Sequence, residues 1–136
     1  VVFALRERGA RPIIANRTPE RAHALGTSVA WTDTALAAAV ADCPLIVNAT
    51  SLGMGTEEVP DTLPLSGIGS QHVVNDLVYR PGGTPWLRAA ASRGARTVDG
   101  LGMLLHQGAA AFEMWTGATA PLDAMRAALE AVPTRP

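Results

Sequence analysis

The polar residues with the most specific chemistry directly follow a short apolar run near the start of the chain. They form one continuous segment, which consists of Asn16, Arg17, Thr18, Pro19, Glu20 and Arg21. The guanidinium groups of Arg17 and Arg21 supply hydrogen-bond donors and positive potential beside a helix that begins at Pro19. This combination suits the 2′-phosphate of an adenosine ribose, whereas an acidic residue would suit a free 2′-hydroxyl. The segment therefore favours NADP over NAD as a cofactor.

An ordinary helix beginning explains the same six residues equally well. Thr18 at the N-cap and Pro19 at the first helical position are common in proteins, with Arg17 and Arg21 as solvated charges. Both interpretations make Thr18 the cap, and only phosphate binding requires Arg17 to face a ligand. A further difficulty is that no glycine-rich phosphate loop precedes the segment,.

Two more polar turns follow predicted strands. In the first, residues 48–54, the small side chains and Gly53 would let a ring or a ribose approach the backbone,. Taken alone, this turn is better explained by local Ser and Thr hydrogen bonds. In the second, residues 76–81, Tyr79 could present its hydroxyl to a carboxylate. An amphipathic tyrosine at the edge of the core explains Tyr79 equally well.

The last such turn leads from a predicted strand into a long helix. Gly100 and Gly102 would permit a close approach between the backbone and a cofactor ring, or they would simply make a tight turn,. Gln107, on the first turns of the helix, can both donate hydrogen bonds to neighbouring hydroxyls and accept them. These groups together indicate a ligand site at this end of the predicted sheet.

The elements that must position these residues alternate along the chain. Strands are predicted at 12–15, 28–31, 45–48, 72–79 and 96–98, and helices at 1–9, 19–25, 32–42, 85–94, 103–116 and 121–132. Apolar strands that alternate with helices are typical of an α/β fold with a parallel sheet covered on both faces. We expect one domain over residues 1–132 and a disordered tail at 133–136.

Composition excludes several functional classes. The chain has 136 residues, of which 48% are hydrophobic, and a net charge of −1. This length and hydrophobic fraction are enough for one core. The near-zero net charge provides no overall electrostatic field that would attract nucleic acid or an acidic membrane surface. No apolar run reaches the length of a membrane span, and no charged region with a following apolar stretch marks a signal peptide.

Lysine, cysteine and histidine limit the chemistry further. All 11 basic residues are arginine, so the chain offers no lysine base. The single cysteine, Cys43, lies among apolar residues, so we expect a buried structural thiol in a reducing cytoplasm. His23 and His72 have no partners at metal-ligand spacing, and we predict no metal site.

Taken in order, these motifs resemble the shikimate dehydrogenase family. The residues that carry the resemblance are Asn16-Arg17-Thr18, Asn48-Ala49-Thr50-Ser51 with Gly53-Met54, Asp76, Tyr79 and Pro81 with Thr84-Pro85, Asp99-Gly100 with Gly102-Met103-Leu104, Gln107-Gly108, and Phe112, Trp115 and Gly117. The resemblance implies a Rossmann-like, doubly wound parallel sheet. It also implies NADP-dependent, reversible reduction of 3-dehydroshikimate to shikimate in aromatic amino-acid biosynthesis.

The resemblance assigns roles to individual residues. It makes the segment from Asn16 to Arg21 the clamp for the 2′-phosphate. Leu77 and Gly100 would touch the cofactor near its nicotinamide end. Tyr79 would meet the substrate carboxylate, and Gln107 would contact the substrate hydroxyls.

The chain also departs from the family. The catalytic Lys and Asp of the family belong to its N-terminal substrate domain, so we predict no catalytic residue here and no turnover by this chain alone. The glycine-rich loop and the central strand before it are absent, and Val1–Gly9 resembles the remainder of the helix that follows them. We therefore expect an N-terminally truncated chain with a gap of about 10 Å, twice the strand spacing, between the strands at 12–15 and 45–48. Two strand edges would be exposed or re-paired there, or the chain would be unstable.

Two rival functions stay open. A quinate/shikimate dehydrogenase that prefers NAD would have a similar fold, although Arg17 and Arg21 disfavour it. A non-catalytic binding module with a dinucleotide-type fold would explain the absent lysine and the absent phosphate loop equally well.

Overall fold

Five short strands and six helices lie within residues 1–80 and 82–131, the part of the chain that the computed structural model describes. Strands and helices alternate except that β4 follows β3 directly and α6 follows α5. The strands are β1 (Ile14–Ala15), β2 (Ser28–Val29), β3 (Leu45–Asn48), β4 (Val73–Asp76) and β5 (Arg96–Val98). The helices are α1 (Val2–Glu7), α2 (Pro19–Leu25), α3 (Asp33–Asp42), α4 (Pro85–Ser92), α5 (Leu101–Thr116) and α6 (Leu122–Glu130). Pro81 and residues 132–136, which include the predicted tail, lie outside the described residues.

The strands form two separate parallel sheets. One sheet contains β1 and β2, and the other has the order β3-β4-β5. The predicted α/β class with parallel strands is confirmed, but the strands are not joined into one continuous sheet. In the described part of the chain β1 pairs only with β2 and β3 only with β4. The interruption lies where the sequence predicts the gap.

Some strands are shorter than the sequence predicts. The strand predicted over residues 72–79 ends at Asp76, because the Asp76 carboxylate accepts a hydrogen bond from the backbone N–H of Val78 at 3.0 Å and turns the chain. The strand predicted from Pro12 begins at Ile14. Pro12 has no N–H to donate to a neighbouring strand.

The core is centred on the three-stranded sheet and α4. Buried apolar residues pack together there, namely Val40, Leu63, Ile68, Val74, Trp86, Leu87, Ala90 and Ala95. Val74 and Ala90 are fully buried, and Trp86 is 1% exposed. The two-stranded side is much less buried: both residues of β1 and of β2 are only half-buried, and α2 buries Ala22 alone.

Helix α5 follows the three-stranded sheet and is the longest helix of the described residues. It ends at Gly117, which adopts the left-handed conformation with φ of 69° that commonly terminates helices,. Glu113 accepts a hydrogen bond from the backbone N–H of Ala120 at 3.0 Å and so fixes the turn toward α6. Among the helices described, none is long and apolar enough to cross a membrane.

Candidate functional site

The carboxyl ends of β3 and β4 bring two polar side chains together. Asn48 and Asp76 are register partners at the last position of each strand, and the Asn48 amide donates to the Asp76 carboxylate at 3.0 Å. Asn48 is 3% exposed and Asp76 is fully buried. The adjacent strand ends therefore meet in a hydrogen bond that is shielded from water.

Asp76 also connects this edge of the sheet to α4. The second carboxylate oxygen accepts from the Thr84 hydroxyl at 2.7 Å, and Thr84 is the fully buried N-cap of α4. Asp76 thus has three donors, since the N–H of Val78 binds the same oxygen as Asn48. Because a buried carboxylate needs such donors, the network fixes the mutual positions of β3, β4 and α4.

Asn48 orders the turn that follows β3. Its amide oxygen accepts from the Thr50 backbone N–H at 3.1 Å and from the Thr50 hydroxyl at 2.7 Å. Its amide nitrogen donates to the Leu52 carbonyl at 3.0 Å. Sequence reasoning identified this turn but assigned no role to Asn48, which is the residue that fixes it.

Gly100 packs against the backbone that leaves β4. A Cβ at this position would lie 2.4 Å from the Leu77 carbonyl oxygen and 3.0 Å from the Tyr79 nitrogen, so only glycine fits,. By contrast, a Cβ at Gly102 would meet nothing within 4 Å. The structure thus brings together Leu77 and Gly100, the two residues predicted to lie near the nicotinamide end of a cofactor.

The two predicted substrate contacts lie apart from this network. The Tyr79 hydroxyl donates to the Leu129 carbonyl of α6 at 3.4 Å, near the upper limit for a hydrogen bond,. Gln107 is an exposed residue on α5. Tyr79 is therefore half-buried against α6, whereas Gln107 is open to solvent.

The predicted phosphate clamp lies directly after β1. The Asn16 carboxamide accepts from the Thr18 backbone N–H at 2.9 Å. Thr18 occupies the N-cap position of α2, but its own side chain makes no capping hydrogen bond. The predicted N-cap position of Thr18 is thus confirmed, but the capping hydrogen bond from its side chain is not formed: the Arg21 amide donates to the Thr18 carbonyl at 3.1 Å instead.

Both arginines of the clamp are accessible. Arg17, Glu20 and Arg21 are exposed, and Pro19 is the first residue of α2. Within residues 1–80 and 82–131 the salt bridges involve neither Arg17 nor Arg21. Their guanidinium groups therefore offer donors to an anion without first breaking an ion pair seen here.

A groove with a cavity volume of about 620 Å³ separates β1 from β3. We call it the β1–β3 groove. Its lining includes Asn16 after β1 and the first residues of the ordered turn, Asn48, Ala49 and Thr50, after β3. The ends of both strands thus border one depression.

An ionic contact that the sequence did not indicate lies beside the Asn48 turn. The guanidinium group of Arg80 donates to the Thr56 carbonyl and to the Glu57 carboxylate. Arg88 approaches the same carboxylate at 3.9 Å. The contact holds the loop after β3 against the exit of β4. The sequence did not predict it, because the residues that it joins are far apart along the chain.

The two ring nitrogens of the buried His72 are both hydrogen-bonded to backbone groups. His72 is 2% exposed: its Nδ1 accepts from the Gly69 backbone N–H at 3.0 Å, and its Nε2 donates to the Val40 carbonyl at 3.0 Å. The residues described contain no group of three or more His, Cys, Asp or Glu side chains that could hold a metal ion. Cys43, expected to be buried, is only half-buried.

Comparison with known proteins identifies relatives along most of the chain. The family profile "Shikimate 5'-dehydrogenase C-terminal domain" matches residues 100–130. The NADP(+) shikimate dehydrogenase of Rhizobium meliloti is 47% identical over 129 residues, which cover 90% of this chain and 45% of that protein. The chain spans about half the length of the curated relatives it matches.

Solved structures agree with this relationship. Shikimate 5-dehydrogenase from Thermus thermophilus in complex with NADP(H) and shikimate is 36% identical with a TM-score of 0.73, covering 96% of this chain and 49% of that one. Quinate dehydrogenase from Corynebacterium glutamicum in complex with NAD is 28% identical with a TM-score of 0.81, covering 96% of this chain and 50% of that one.

Proposed function

Because the chain is homologous over most of its length to the C-terminal half of shikimate dehydrogenases, we propose that it forms the cofactor-binding half of an NADP-dependent shikimate dehydrogenase in the cytoplasm. The complete enzyme would reversibly reduce 3-dehydroshikimate to shikimate. The cofactor, when bound, supplies or accepts the hydride, while protein residues bind and orient both molecules. The observation that carries the proposal is the exposed arginine pair after β1 in a chain with this homology.

Arg17 and Arg21 would bind the 2′-phosphate of NADP. Both side chains are exposed, and no salt bridge within the described residues engages them. Guanidinium groups match phosphate geometry through paired donors. Asn16, Thr18, Pro19 and Glu20 would shape the turn that presents them, with the Asn16 carboxamide holding the Thr18 amide.

The β4 exit would form one wall for the nicotinamide ring. Leu77 and Gly100 are in contact there, and the absence of a side chain at Gly100 lets two backbone segments meet. The buried contacts of Asn48 and Asp76 hold this wall and the neighbouring turn in place. A wall fixed in this way excludes water from one side of a bound ring and limits the ring's orientation.

Tyr79 and Gln107 would contact the substrate. The hydrogen bond from the Tyr79 hydroxyl to Leu129 is long, so a substrate carboxylate would replace it with a shorter, charge-assisted bond,. The Gln107 amide, exposed on α5, would donate to the substrate hydroxyls and accept from them,. The proton-transfer role of the family's lysine cannot be assigned to these 136 residues, since they contain no lysine.

The 2′-phosphate clamp can be tested on the chain itself. Adenosine 2′,5′-bisphosphate and adenosine 5′-phosphate are titrated against it by calorimetry. We expect the bisphosphate to bind at least about tenfold more tightly, because each charge-assisted contact contributes on the order of 1.5–3 kcal/mol. Arg17→Glu should abolish that preference.

A matched control is Arg126→Glu, which makes the same charge change on the exposed face of α6. It should leave the preference unchanged. Equal binding of the two nucleotides by the unmodified chain would contradict the clamp and would favour the NAD-preferring quinate/shikimate alternative, which the similarity to the NAD complex of quinate dehydrogenase supports.

A turnover assay tests whether this chain needs a separate substrate domain for activity. The chain alone, mixed with NADPH and 3-dehydroshikimate, should show no steady loss of NADPH absorbance. Joined to a substrate domain from a related shikimate dehydrogenase, it should gain activity that Arg17→Glu weakens with NADPH more than with NADH. A joined protein that binds NADP but neither binds nor turns over shikimate would indicate the non-catalytic binding module instead.

A further inference from the structure

The loop after β3 leaves the core between two apolar contacts. Leu52 and Val59 both pack against the core cluster, and we call the segment between them, residues 53–58, the 53–58 loop. Gly53 and Gly55 adopt the left-handed conformation, with φ of 88° and 74°. Glycine suits this conformation and brings more backbone freedom than any other residue. The loop therefore needs contacts beyond its own backbone to hold one position.

The exit of β4 supplies those contacts at both ends of the loop. Before the loop, the Asn48 carbonyl accepts from the Leu77 backbone N–H at 3.0 Å, and the Asn48 side chain orders the turn that leads into it. Near its far end, the Arg80 guanidinium group donates to the Thr56 carbonyl and to the Glu57 carboxylate. One short segment, from Leu77 to Arg80, thus holds the loop at both ends, and that segment also carries the proposed nicotinamide wall.

Arg80 is itself held in place. Its carbonyl accepts from the Gly83 backbone N–H at 2.9 Å, and the Gly83 carbonyl accepts from the Arg88 guanidinium group at 2.6 Å. The Arg80 side chain is 26% exposed, whereas that of Glu57 is 77% exposed. A guanidinium group also presents its donors in a rigid, planar fork. Arg80 should therefore determine the position of the loop, and Glu57 should follow it.

We propose that Arg80 is a positioning residue for the nicotinamide side of the cofactor site, an inference that rests on the proposed function. By joining the β4 exit to the 53–58 loop, its guanidinium group fixes the loop tip at Met54 beside the wall formed by Leu77 and Gly100. Met54 is 67% exposed, so its side chain is available to contact a ring bound at that wall. Without the guanidinium group, the loop must be ordered when the cofactor binds, and this ordering weakens binding.

Two nucleotides separate positioning of the loop from general support of the fold. NADP carries both the adenosine end and the nicotinamide end, whereas adenosine 2′,5′-bisphosphate carries only the group that the clamp would bind. Arg80→Leu should weaken the binding of NADP to the chain by about threefold to tenfold in calorimetry, because the loop loses a charge-assisted contact. The affinity for the bisphosphate should stay within about twofold, because the clamp follows a strand of the other sheet. Equal weakening of both nucleotides would mean a structural role only and would overturn the proposal.

Three further variants test which part of the contact matters. Arg80→Lys keeps the charge and should recover part of the affinity for NADP. Glu57→Gln keeps the bond from Arg80 to the Thr56 carbonyl and should weaken NADP less than Arg80→Leu does. The matched control is Arg93→Leu, which removes an exposed guanidinium group that donates to the Ala89 carbonyl of α4 at 3.3 Å. It should leave both affinities unchanged, and a loss equal to that of Arg80→Leu would contradict the assignment.

A second readout needs no cofactor. Isotope-labelled methionine methyl groups report motion on the picosecond to nanosecond timescale in nuclear magnetic resonance. In the unliganded chain, Arg80→Leu should make the Met54 methyl group more mobile. The methyl group of Met125, which packs against Gly108 between α6 and α5, should be unaffected. Unchanged mobility of Met54 would overturn the proposal.

The two readouts keep the proposals distinguishable. If the unmodified chain binds neither nucleotide, the cofactor proposal fails, while the mobility of Met54 still decides whether Arg80 fixes the loop. Should circular dichroism show that Arg80→Leu does not fold, Glu57→Gln, which changes an exposed side chain, replaces it in both measurements. It should then shift NADP affinity and Met54 mobility in the same directions by smaller amounts, and the absence of both shifts would contradict the proposal.

Discussion

The two sheets of this chain end in site residues of opposite character. At the end of β3-β4-β5, Asn48, Asp76 and Thr84 are buried and bonded to one another. After β1, the arginines Arg17 and Arg21 are exposed. The buried groups hold one another in a fixed geometry, whereas the two arginines that we propose to bind a phosphate are long charged side chains on a loosely packed turn.

The same contrast holds in the packing beneath each site. The apolar core surrounds β4 and α4, while β1, β2 and α2 bury very little. We therefore expect the three-stranded side to determine the stability of the chain and the two-stranded side to be the more easily opened.

The largest expected effect is on the core of the three-stranded side. Trp86→Ala removes a side chain that is 1% exposed and donates to the Pro64 carbonyl at 2.9 Å. It should lower the free energy of unfolding by about 3–5 kcal/mol, measured by urea denaturation followed by circular dichroism. Trp115→Ala, at a residue that is 81% exposed, should change it by less than about 0.5 kcal/mol,. Similar losses for both variants would mean that the core is not centred where we place it.

The buried polar network gives the next largest effect. Asp76→Ala leaves three donors, from Asn48, Val78 and Thr84, without their acceptor. It should lower the free energy of unfolding by about 3 kcal/mol. Asp99→Ala removes an exposed carboxylate that, within the described part of the chain, accepts from the Leu101 amide alone. This variant should lower the free energy of unfolding by about 1 kcal/mol or less. Equal losses in the free energy of unfolding for the two variants would mean that the buried network does not stabilise the chain more than an exposed carboxylate does.

Two glycines at the start of α5 should respond in opposite directions. Gly100→Ala forces a Cβ to within 2.4 Å of the Leu77 carbonyl oxygen and should lower the free energy of unfolding by about 1–3 kcal/mol,. Gly102→Ala meets nothing within 4 Å on an exposed turn of helix and should raise it by up to about 1 kcal/mol,. Thermal denaturation of both variants provides the measurement, and a stabilising Gly100→Ala would contradict the close contact.

The smallest effect on stability is expected at the clamp. Arg17→Ala and Arg21→Ala remove exposed side chains without ion pairs among the residues described, so each should change the free energy of unfolding by less than about 0.5 kcal/mol,. Each should nevertheless weaken the binding of adenosine 2′,5′-bisphosphate. A large loss of stability at either position would show that the arginines support the fold and would remove the contrast between the two sites.

Local sequence signals predicted most elements, because their causes lie within a few residues. Pro19 begins α2, and the apolar run at Leu45–Asn48 forms β3 as expected. The pairing of Asn48 with Asp76 was not predictable, because it depends on the register of two strands separated by 28 residues. The contact between Arg80 and Glu57 was not predictable either, because it joins two residues that are far apart along the chain.

Hydrogen bonding within the predicted sites also departed from expectation for a physical reason. Sequence patterns show which residue can occupy the N-cap of a helix, but not whether its side chain forms the capping hydrogen bond. The Thr18 side chain forms none, and the Tyr79 hydroxyl reaches a carbonyl of α6, 50 residues away. Such choices follow from packing, which the order of residues alone does not specify.

The residues that line the β1–β3 groove include one chemically unique labelling position. These 136 residues contain a single cysteine, Cys43, so a thiol-reactive reagent modifies them at one place. Cys43 is half-buried and borders the groove. A small trifluoromethyl tag at this position would therefore report on the surroundings of the groove in the unaltered sequence, with a fluorine resonance free of any background from the protein.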